Sequence, residues 1–176
     1  MIAQLEGRAR CLGDRVNTDY IISSSRKKET LDPHELKAWL LESVDSGFAA
    51  SVGENDILVA GEAFGCGSAM EVAVTVVLAA GIKAVVARSF ARTYFRNAIN
   101  NGLVPVECDS SGIGEGDRIR LEIRQDRVSV VNETKRYEVV ARPLPPFMLG
   151  ILGAGGLVPS LRPCSSGYPV SPGTSG

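Results

Sequence analysis

A glycine-rich segment at residues 61–71, Gly-Glu-Ala-Phe-Gly-Cys-Gly-Ser-Ala-Met-Glu, carries the residue types and spacing best suited to chemistry. Gly65 and Gly67 allow the backbone to adopt positive φ or to approach a ligand closely. Ser68 follows at once, and a serine held in such a turn can act as a nucleophile or, once activated, as a base. The segment therefore predicts either an anion site or a site that presents a reactive serine.

Apolar runs on both sides of this segment predict the elements that position it. Residues 57–60 are short, apolar and partly β-branched, as in a buried strand, and residues 72–80 form an apolar run long enough for a covered helix. Ser68 then stands at the expected helix N-cap, and Glu71 completes a Ser-x-x-Glu capping box. Two interpretations stay open: Ser68 only caps the helix, or the N-H groups of this terminus and Ser68 serve a bound anion.

The glycine pattern does not match the common nucleotide-binding motifs. Gly65-x-Gly67 lacks the third glycine of the dinucleotide fingerprint, and no acidic residue follows about 20 positions later at a second strand end. A Walker lysine is also missing from the segment. The sequence thus argues against a dinucleotide or P-loop site.

Composition limits the class of protein. The chain has 176 residues, of which 44% are hydrophobic and 22% charged, enough for one well-cored domain. A net charge of -1 argues against a nucleic-acid partner. No apolar run reaches about 18 residues and no signal peptide opens the chain, so we expect a cytoplasmic protein with no membrane segment. The four cysteines lack metal-site spacing: Cys11, Cys66, Cys108 and Cys164.

The order of predicted elements indicates an α/β fold with a central parallel βαβ core and an added β-hairpin region. The predicted strands lie at residues 7–11, 57–60, 84–87, 103–106, 119–123, 127–131 and 137–140, and the main helices at residues 68–80, 91–101 and 147–152. Pro105 favours a sheet edge for its strand. We expect one domain over residues 1–161 and a flexible Pro/Ser/Gly tail over residues 162–176.

Two further helices carry specific expectations. Asp32 and Pro33 start a helix as N-cap and first residue, with an apolar face at Leu36, Trp39, Leu40 and Val44. His34 in its first turn is expected to face solvent, because no nucleophile or ligand spacing accompanies it. The helix after Ser68 is apolar nearly all round, which predicts that a partner chain covers part of it.

Three ordered segments give the chain a family resemblance. Residues 13–22 (Gly-Asp-Arg-Val-Asn-Thr-Asp-Tyr-Ile-Ile), 64–68 (Phe-Gly-Cys-Gly-Ser) and 89–103 resemble the small subunit of 3-isopropylmalate dehydratase, the swivelling domain of the aconitase superfamily. The resemblance runs from about residue 7 to residue 161. It implies a hydro-lyase of leucine biosynthesis that works as a heterodimer with a large subunit, which holds a 4Fe-4S cluster. This chain itself would hold no cofactor.

The resemblance also assigns the site residues. Ser68 matches the family's catalytic base, with Gly67 and Ala69 beside it at a site for a small dicarboxylate or tricarboxylate. The family usually has Ser-Arg where this chain has Ala69 and Met70, so a carboxylate-binding arginine is replaced by a neutral thioether. Charge could be restored from the substrate-recognition loop, whose residues in this chain are Ser25, Arg26, Lys27 and Lys28. Alternatively, that basic run is only a solvated loop.

Several functions therefore remain open at this stage. The departures at positions 69 and 70 are compatible with a related substrate, such as homoaconitate, citraconate or 2,3-dimethylmalate. They are also compatible with a subunit kept for assembly or regulation, in which Ser68 does no chemistry. A stand-alone anion-binding module is the third possibility, and it requires no partner.

Overall fold

A seven-stranded mixed sheet forms the centre of the computed structural model, which describes residues 3–162. Its spatial order is β4-β3-β2-β1-β5-β6-β7; β1 to β4 are parallel, and the pairs β1-β5, β5-β6 and β6-β7 are antiparallel. The strands are β1 (Ala3–Cys11), β2 (Ile57–Ala60), β3 (Ala84–Ala87), β4 (Val104–Glu107), β5 (Arg118–Ile123), β6 (Val128–Asn132) and β7 (Tyr137–Ala141). The parallel core and the antiparallel addition are both confirmed.

Helices connect the parallel strands and cover the sheet. They are α1 (Thr18–Ile21), α2 (Ser24–Glu29), α3 (Pro33–Leu36), α4 (Phe48–Ser51), α5 (Val72–Ala79), α6 (Arg92–Asn101), α7 (Pro146–Gly153) and α8 (Leu157–Ser160), with a 3-10 turn at Lys37–Trp39 after α3. In the described chain, none of these helices is both long and apolar enough to cross a bilayer.

The parallel strands are buried on both faces, which explains their continuous apolar runs. Leu58 and Val85 belong to one core cluster, under α1, α3, α5 and α6, while their neighbours Ile57 and Val86 belong to another, under α7 and the antiparallel strands. Successive side chains of a strand point to opposite faces of the sheet, so one apolar run contributes to both core clusters. Pro105 lies in β4, which forms the edge of the sheet as predicted.

Two expectations about elements were wrong. The helix that starts at Asp32 ends at Leu36, because a 3-10 turn follows and Leu41 then takes a φ of 57°. Val44 is consequently 48% exposed instead of extending an apolar helix face. No residue of α5 is exposed, because α1, α3, α6 and the 3-10 turn pack against it. Val72, Leu78 and Ala79 are only half-buried, and cover from a partner chain stays a prediction. β1 also begins earlier than predicted, at Ala3.

The ends of the chain complete the comparison. The single domain over residues 1–161 stays a prediction; the described residues, 3–162, include all of that range except its first two residues. The tail predicted for residues 162–176, including Cys164, lies outside the described residues apart from Arg162.

Candidate active site

The glycine-rich turn lies at the carboxyl ends of the parallel strands, where β2 ends at Ala60. Its backbone is curled by positive φ values at Ala63 (52°), Gly65 (78°) and Gly67 (95°). Glycine is required at Gly65, because a Cβ there would overlap the ring of Tyr94 on α6. Phe64 packs edge-to-face on that ring with centroids 5.1 Å apart, so the turn rests directly on α6.

The segment before α1 fixes the second side of this turn. The backbone N-H of Thr18 donates to the carbonyl of Cys66 at 2.9 Å, and its buried hydroxyl donates to the carbonyl of Ser68 at 3.0 Å. Asn17 faces Gly67 so closely that an added Cβ would lie 2.5 Å from its side-chain oxygen. Thr18 thus holds Ser68 in place through its carbonyl, and Asn17 packs against the preceding Gly67.

Ser68 is exposed and does not cap α5, so the predicted capping box is wrong. The helix starts at Val72, its N-cap position is Glu71 in helical conformation, and no side chain hydrogen-bonds there. The reason is tertiary: Thr18 holds the Ser68 carbonyl, and the left-handed residues before it keep the chain out of helical geometry until after Met70. Within residues 3–162 the Ser68 hydroxyl has no hydrogen-bond partner, which leaves it available to a ligand.

The peptide groups around Ser68 provide donors for an anion. The backbone N-H groups of residues 67–71 donate to no acceptor in the described part of the chain, although their neighbours at Gly65 and Ala73 do. These free donors surround the serine just before the N-terminus of an eight-residue helix, where the partial positive charge of the helix adds to their effect. The arrangement favours a carboxylate ligand or an anionic serine oxygen.

Lysine 27 is the cation that the fold brings to this turn. Its side chain is only 6% exposed, and its Nζ lies 3.0 Å from Asp19 Oδ1 and 2.8 Å from Met70 Sδ. Hydrogen bonds from Ser24 and Lys27 keep the pKa of the Asp19 carboxyl below its ordinary value. Sequence reasoning had left three basic residues as equal candidates, and only contacts across the fold distinguish them.

Of the other residues of the predicted substrate-recognition loop, Arg26 is engaged by another carboxylate, whereas Ser25 and Lys28 are exposed. They lie on α2, a capped helix instead of the expected loop, in which the Ser23 hydroxyl accepts from the N-H of Arg26. Arg26 forms a two-pronged ion pair with Glu42 at 3.0 and 3.1 Å and stacks over Trp39. Ser25 is exposed and its hydroxyl lies 3.0 Å from that of Ser23. Lys28 is exposed, and Ala69 is exposed beside Ser68.

A second charged pair closes the base of the turn. Asp14 Oδ1 accepts from the backbone N-H of Glu62 at 2.8 Å and from Arg88 at 2.9 Å. These two hydrogen bonds hold the pKa of the Asp14 carboxyl below its ordinary value. Arg88 was missed by sequence reasoning. Arg88 directly follows β3, and the carboxyl ends of parallel strands meet at one sheet edge. Its place in the sequence therefore could have predicted that it lies near the turn after β2.

Metal-binding groups are not assembled by this fold. Among residues 3–162, no cluster of three or more His, Cys, Asp or Glu side chains could hold an ion. The cysteines of that range, Cys11, Cys66 and Cys108, are free. Burial raises the pKa of the Cys108 thiol to about 11, so it is protonated at neutral pH.

Comparison with known proteins agrees with this architecture. The family model described as the aconitase C-terminal domain matches residues 18–111, a range that contains Thr18, the glycine-rich turn, α5 and α6. The chain belongs to the aconitase C-terminal domain family.

Relatives and a solved structure narrow the family further. The chain is 42% identical over 161 residues to a 3-isopropylmalate dehydratase small subunit of Oleidesulfovibrio alaskensis, covering 90% of this chain and 95% of the relative. It is 41% identical over 160 residues to a methanogen homoaconitase small subunit of Methanocaldococcus jannaschii, with 90% and 91% covered. The crystal structure of 3-isopropylmalate dehydratase from the latter organism superposes with a TM-score of 0.85 at 40% identity, covering 90% of this chain and 93% of that one.

Proposed function

We propose that this chain is the small subunit of a heteromeric hydro-lyase that moves a hydroxyl group on a substituted malate by dehydration and rehydration. The observation that carries the proposal is an exposed Ser68 whose hydroxyl and neighbouring backbone N-H groups have no partner within residues 3–162, two positions before the Met70 side chain that Lys27 contacts. The proposal is supported by relatives that are named as dehydratase small subunits at more than 40% identity.

Ser68 is proposed as the base of this reaction. A serine hydroxyl at ordinary pH is far too weak to remove a C-H proton, so its anion has to be stabilised. The free N-H groups of residues 67–71 are suited to that role, since preorganised donors lower the cost of a developing oxyanion. In the dehydration half the C-H proton moves to the Ser68 oxygen, the neighbouring C-O bond breaks, the hydroxide takes up a proton to leave as water, and an alkene remains. In rehydration, water loses a proton and adds its oxygen to the carbon that lost hydrogen, while Ser68 returns its proton to the carbon that lost the hydroxyl.

The rest of the reaction requires a partner. A large subunit with a 4Fe-4S cluster would supply the Lewis acid that binds the substrate hydroxyl and carboxylate. The role of this chain is then to bring base and recognition residues to the partner's site. Gly67 and Ala69 lie beside the base and shape the surface that meets the substrate.

Lys27 is proposed to bind a substrate carboxylate. Position 70 holds methionine, which has no donor for a carboxylate, and Lys27 places an ammonium group 2.8 Å from its sulfur. Asp19 Oδ1 and Met70 Sδ accept two of its three N-H bonds, so one donor remains for an incoming anion. Ser25 and Lys28 lie exposed on the same helix, α2, and stay secondary candidates, whereas Arg26 is already engaged by Glu42.

We propose the class of the substrate, a substituted malate, and not one particular compound. Near-equal identity to an isopropylmalate and a homoaconitate subunit, 42% and 41%, favours neither. A lysine ammonium is a compact point charge, whereas a planar arginine guanidinium would bind both oxygens of a carboxylate. We therefore expect a substituted malate whose second carboxylate is held by one contact, with 2-isopropylmalate, homoaconitate, citraconate and 2,3-dimethylmalate as the compounds to assay.

Ser68→Ala in the purified two-subunit complex tests the proposal. Loss of the base should lower kcat by at least about 100-fold. Assembly and thermal stability should be unchanged, because the Ser68 side chain is exposed and makes no hydrogen bond within residues 3–162. A variant that assembles and turns over at the wild-type rate would instead support an assembly or regulatory subunit. A chain that never associates with a large subunit would support the anion-binding module.

A further inference from the structure

An arginine-lined groove lies on the opposite side of α6 from the Ser68 turn. We name it the α6–α7 groove; it has a volume of about 330 Å³ and is lined by Phe90, Arg92, Phe95, Arg96, Arg142 and Met148, with Glu107 at its margin. Arg92, Arg96 and Arg142 are exposed, whereas the apolar side chains are half-buried. The groove therefore combines an apolar floor with a charged rim.

The charges of this groove are unbalanced. Arg142 pairs with Glu107 at 2.9 Å, but Arg92 and Arg96 reach no carboxylate and no hydrogen-bond acceptor within residues 3–162. They lie one helical turn apart, at i and i+4 on α6, so both guanidinium groups project from one face. Since the whole chain is slightly acidic, this positive surface is local. It is complementary to a segment that carries two carboxylates.

The apolar floor connects the groove to the proposed active site. Phe90 packs edge-to-face on Phe95 with centroids 5.7 Å apart, and on Phe64 at 6.0 Å. Phe64 immediately precedes Gly65 of the Ser68 turn. A protein that covers Ser68 from the carboxyl edge of the sheet would meet this groove along the same edge.

We propose that the α6–α7 groove is the docking site for an acidic segment of the large subunit. This inference rests on the proposed function, which supplies the partner. Arginine, aromatic residues and methionine are the types enriched at protein interfaces, and their mixture here fits a segment with two carboxylates and one apolar side chain. Exposed arginines on an open groove fit a protein surface better than a small anion, which would need buried donors to bind tightly.

The test is an affinity measurement between the full chain and the dehydratase large subunit of the same genome, purified anaerobically. Charge reversal at both helix positions, R92E/R96E, should raise the dissociation constant by at least about 100-fold, because close interfacial charge pairs are strongly coupled. A matched control, K83E/R136E, makes the same charge change on exposed residues that have no ion pair within residues 3–162. Its affinity should stay within threefold of wild type, roughly the scatter expected away from an interface.

Two checks keep the outcomes distinct. Circular dichroism and the thermal midpoint establish that each variant folds. If R92E/R96E does not fold, the neutral variant R92Q/R96Q replaces it in the affinity measurement and should raise the dissociation constant by at least about 10-fold. If R92E/R96E folds and binds the large subunit like wild type, the groove is not the docking site, and the proposed function is unaffected. Wild-type chain that does not bind the large subunit overturns both. Salt dependence should also be weaker for the reversed variant than for wild type.

Discussion

The Nζ atom of Lys27 lies 2.8 Å from the sulfur of Met70, so a side chain from α2 delivers charge to a turn that precedes α5. The two residues are far apart in sequence, and neither alone indicates a carboxylate site. Their proximity offers a physical reason why methionine is tolerated at position 70: the cation comes from another element of the fold.

Lys27→Met should impair substrate binding more than chemistry. Removing a hydrogen bond to a charged group costs about 1.5–3 kcal/mol, which corresponds to a rise in KM of roughly 10-fold to 150-fold with kcat changed much less. Steady-state kinetics of the two-subunit complex measures both constants. Lys37→Met, which alters an exposed lysine on the 3-10 turn, is the matched control and should leave KM unchanged. Equal KM values for the two variants would remove Lys27 from the site.

Gly67→Ala should displace the turn that carries Ser68. Its φ of 95° strains any side chain, and the new Cβ would lie 2.5 Å from the Asn17 oxygen that caps α1. Strain and displacement together should lower the free energy of unfolding by about 1–3 kcal/mol. Because a shift of about 1 Å in a positioned group costs about 100-fold, kcat/KM should fall by that order.

Gly116→Ala separates backbone strain from displacement in that experiment. Gly116 has a φ of 80°, but no atom lies within 4 Å of an added Cβ. We expect a loss of stability of about 1–2 kcal/mol and unchanged kcat/KM. Should both alanine variants retain full activity in the complex, the close approach of Asn17 to Gly67 would not be needed to position the base. Urea denaturation and steady-state kinetics give the two quantities.

Asp117 should make stability depend on acid pH. It accepts hydrogen bonds from the Gly114 N-H and from Asn132 at 2.8 Å, with Lys135 at 2.9 Å, and these contacts lower its pKa from 3.8 to about 2. A folded-state pKa below the unfolded value means that the charged form stabilises the fold above about pH 4. That contribution is lost as the pH falls through the folded pKa towards 2.

Comparison with Asp117→Asn measures this contribution. Urea unfolding should show the wild-type chain to be more stable near pH 6, with the gap to the variant closing as the pH is lowered from 4 towards 2. Asp126→Asn, a change at an exposed carboxylate with no ion pair in the described chain, controls for general effects of lost charge. A gap that stays constant over that pH range would show that ionisation of Asp117 does not stabilise the fold.

Local patterns predicted most elements correctly because each of them reports a local physical requirement. The apolar runs of β2 and β3 need burial, and a proline in β4 cannot sit in a sheet centre. Gly102 ends α6 with a φ of 83°, which glycine adopts without steric cost. The prediction of a capping box at Ser68 was wrong because a distant contact decides the local conformation. Thr18, 50 positions away, donates a hydrogen bond to the Ser68 carbonyl, and Ser68 does not cap the helix.

The sequence by itself determined the α/β class, the parallel core, the family and the position of Ser68 after a glycine turn, because these depend on periodicity, turn chemistry and ordered local motifs. Only the tertiary structure decided that Ser68 is free, that Lys27 and not Arg26 reaches Met70, and that Arg92 and Arg96 lack acidic partners in the described chain. Those outcomes depend on which side chains meet across elements, and a contact between distant positions leaves no periodic trace in a single sequence.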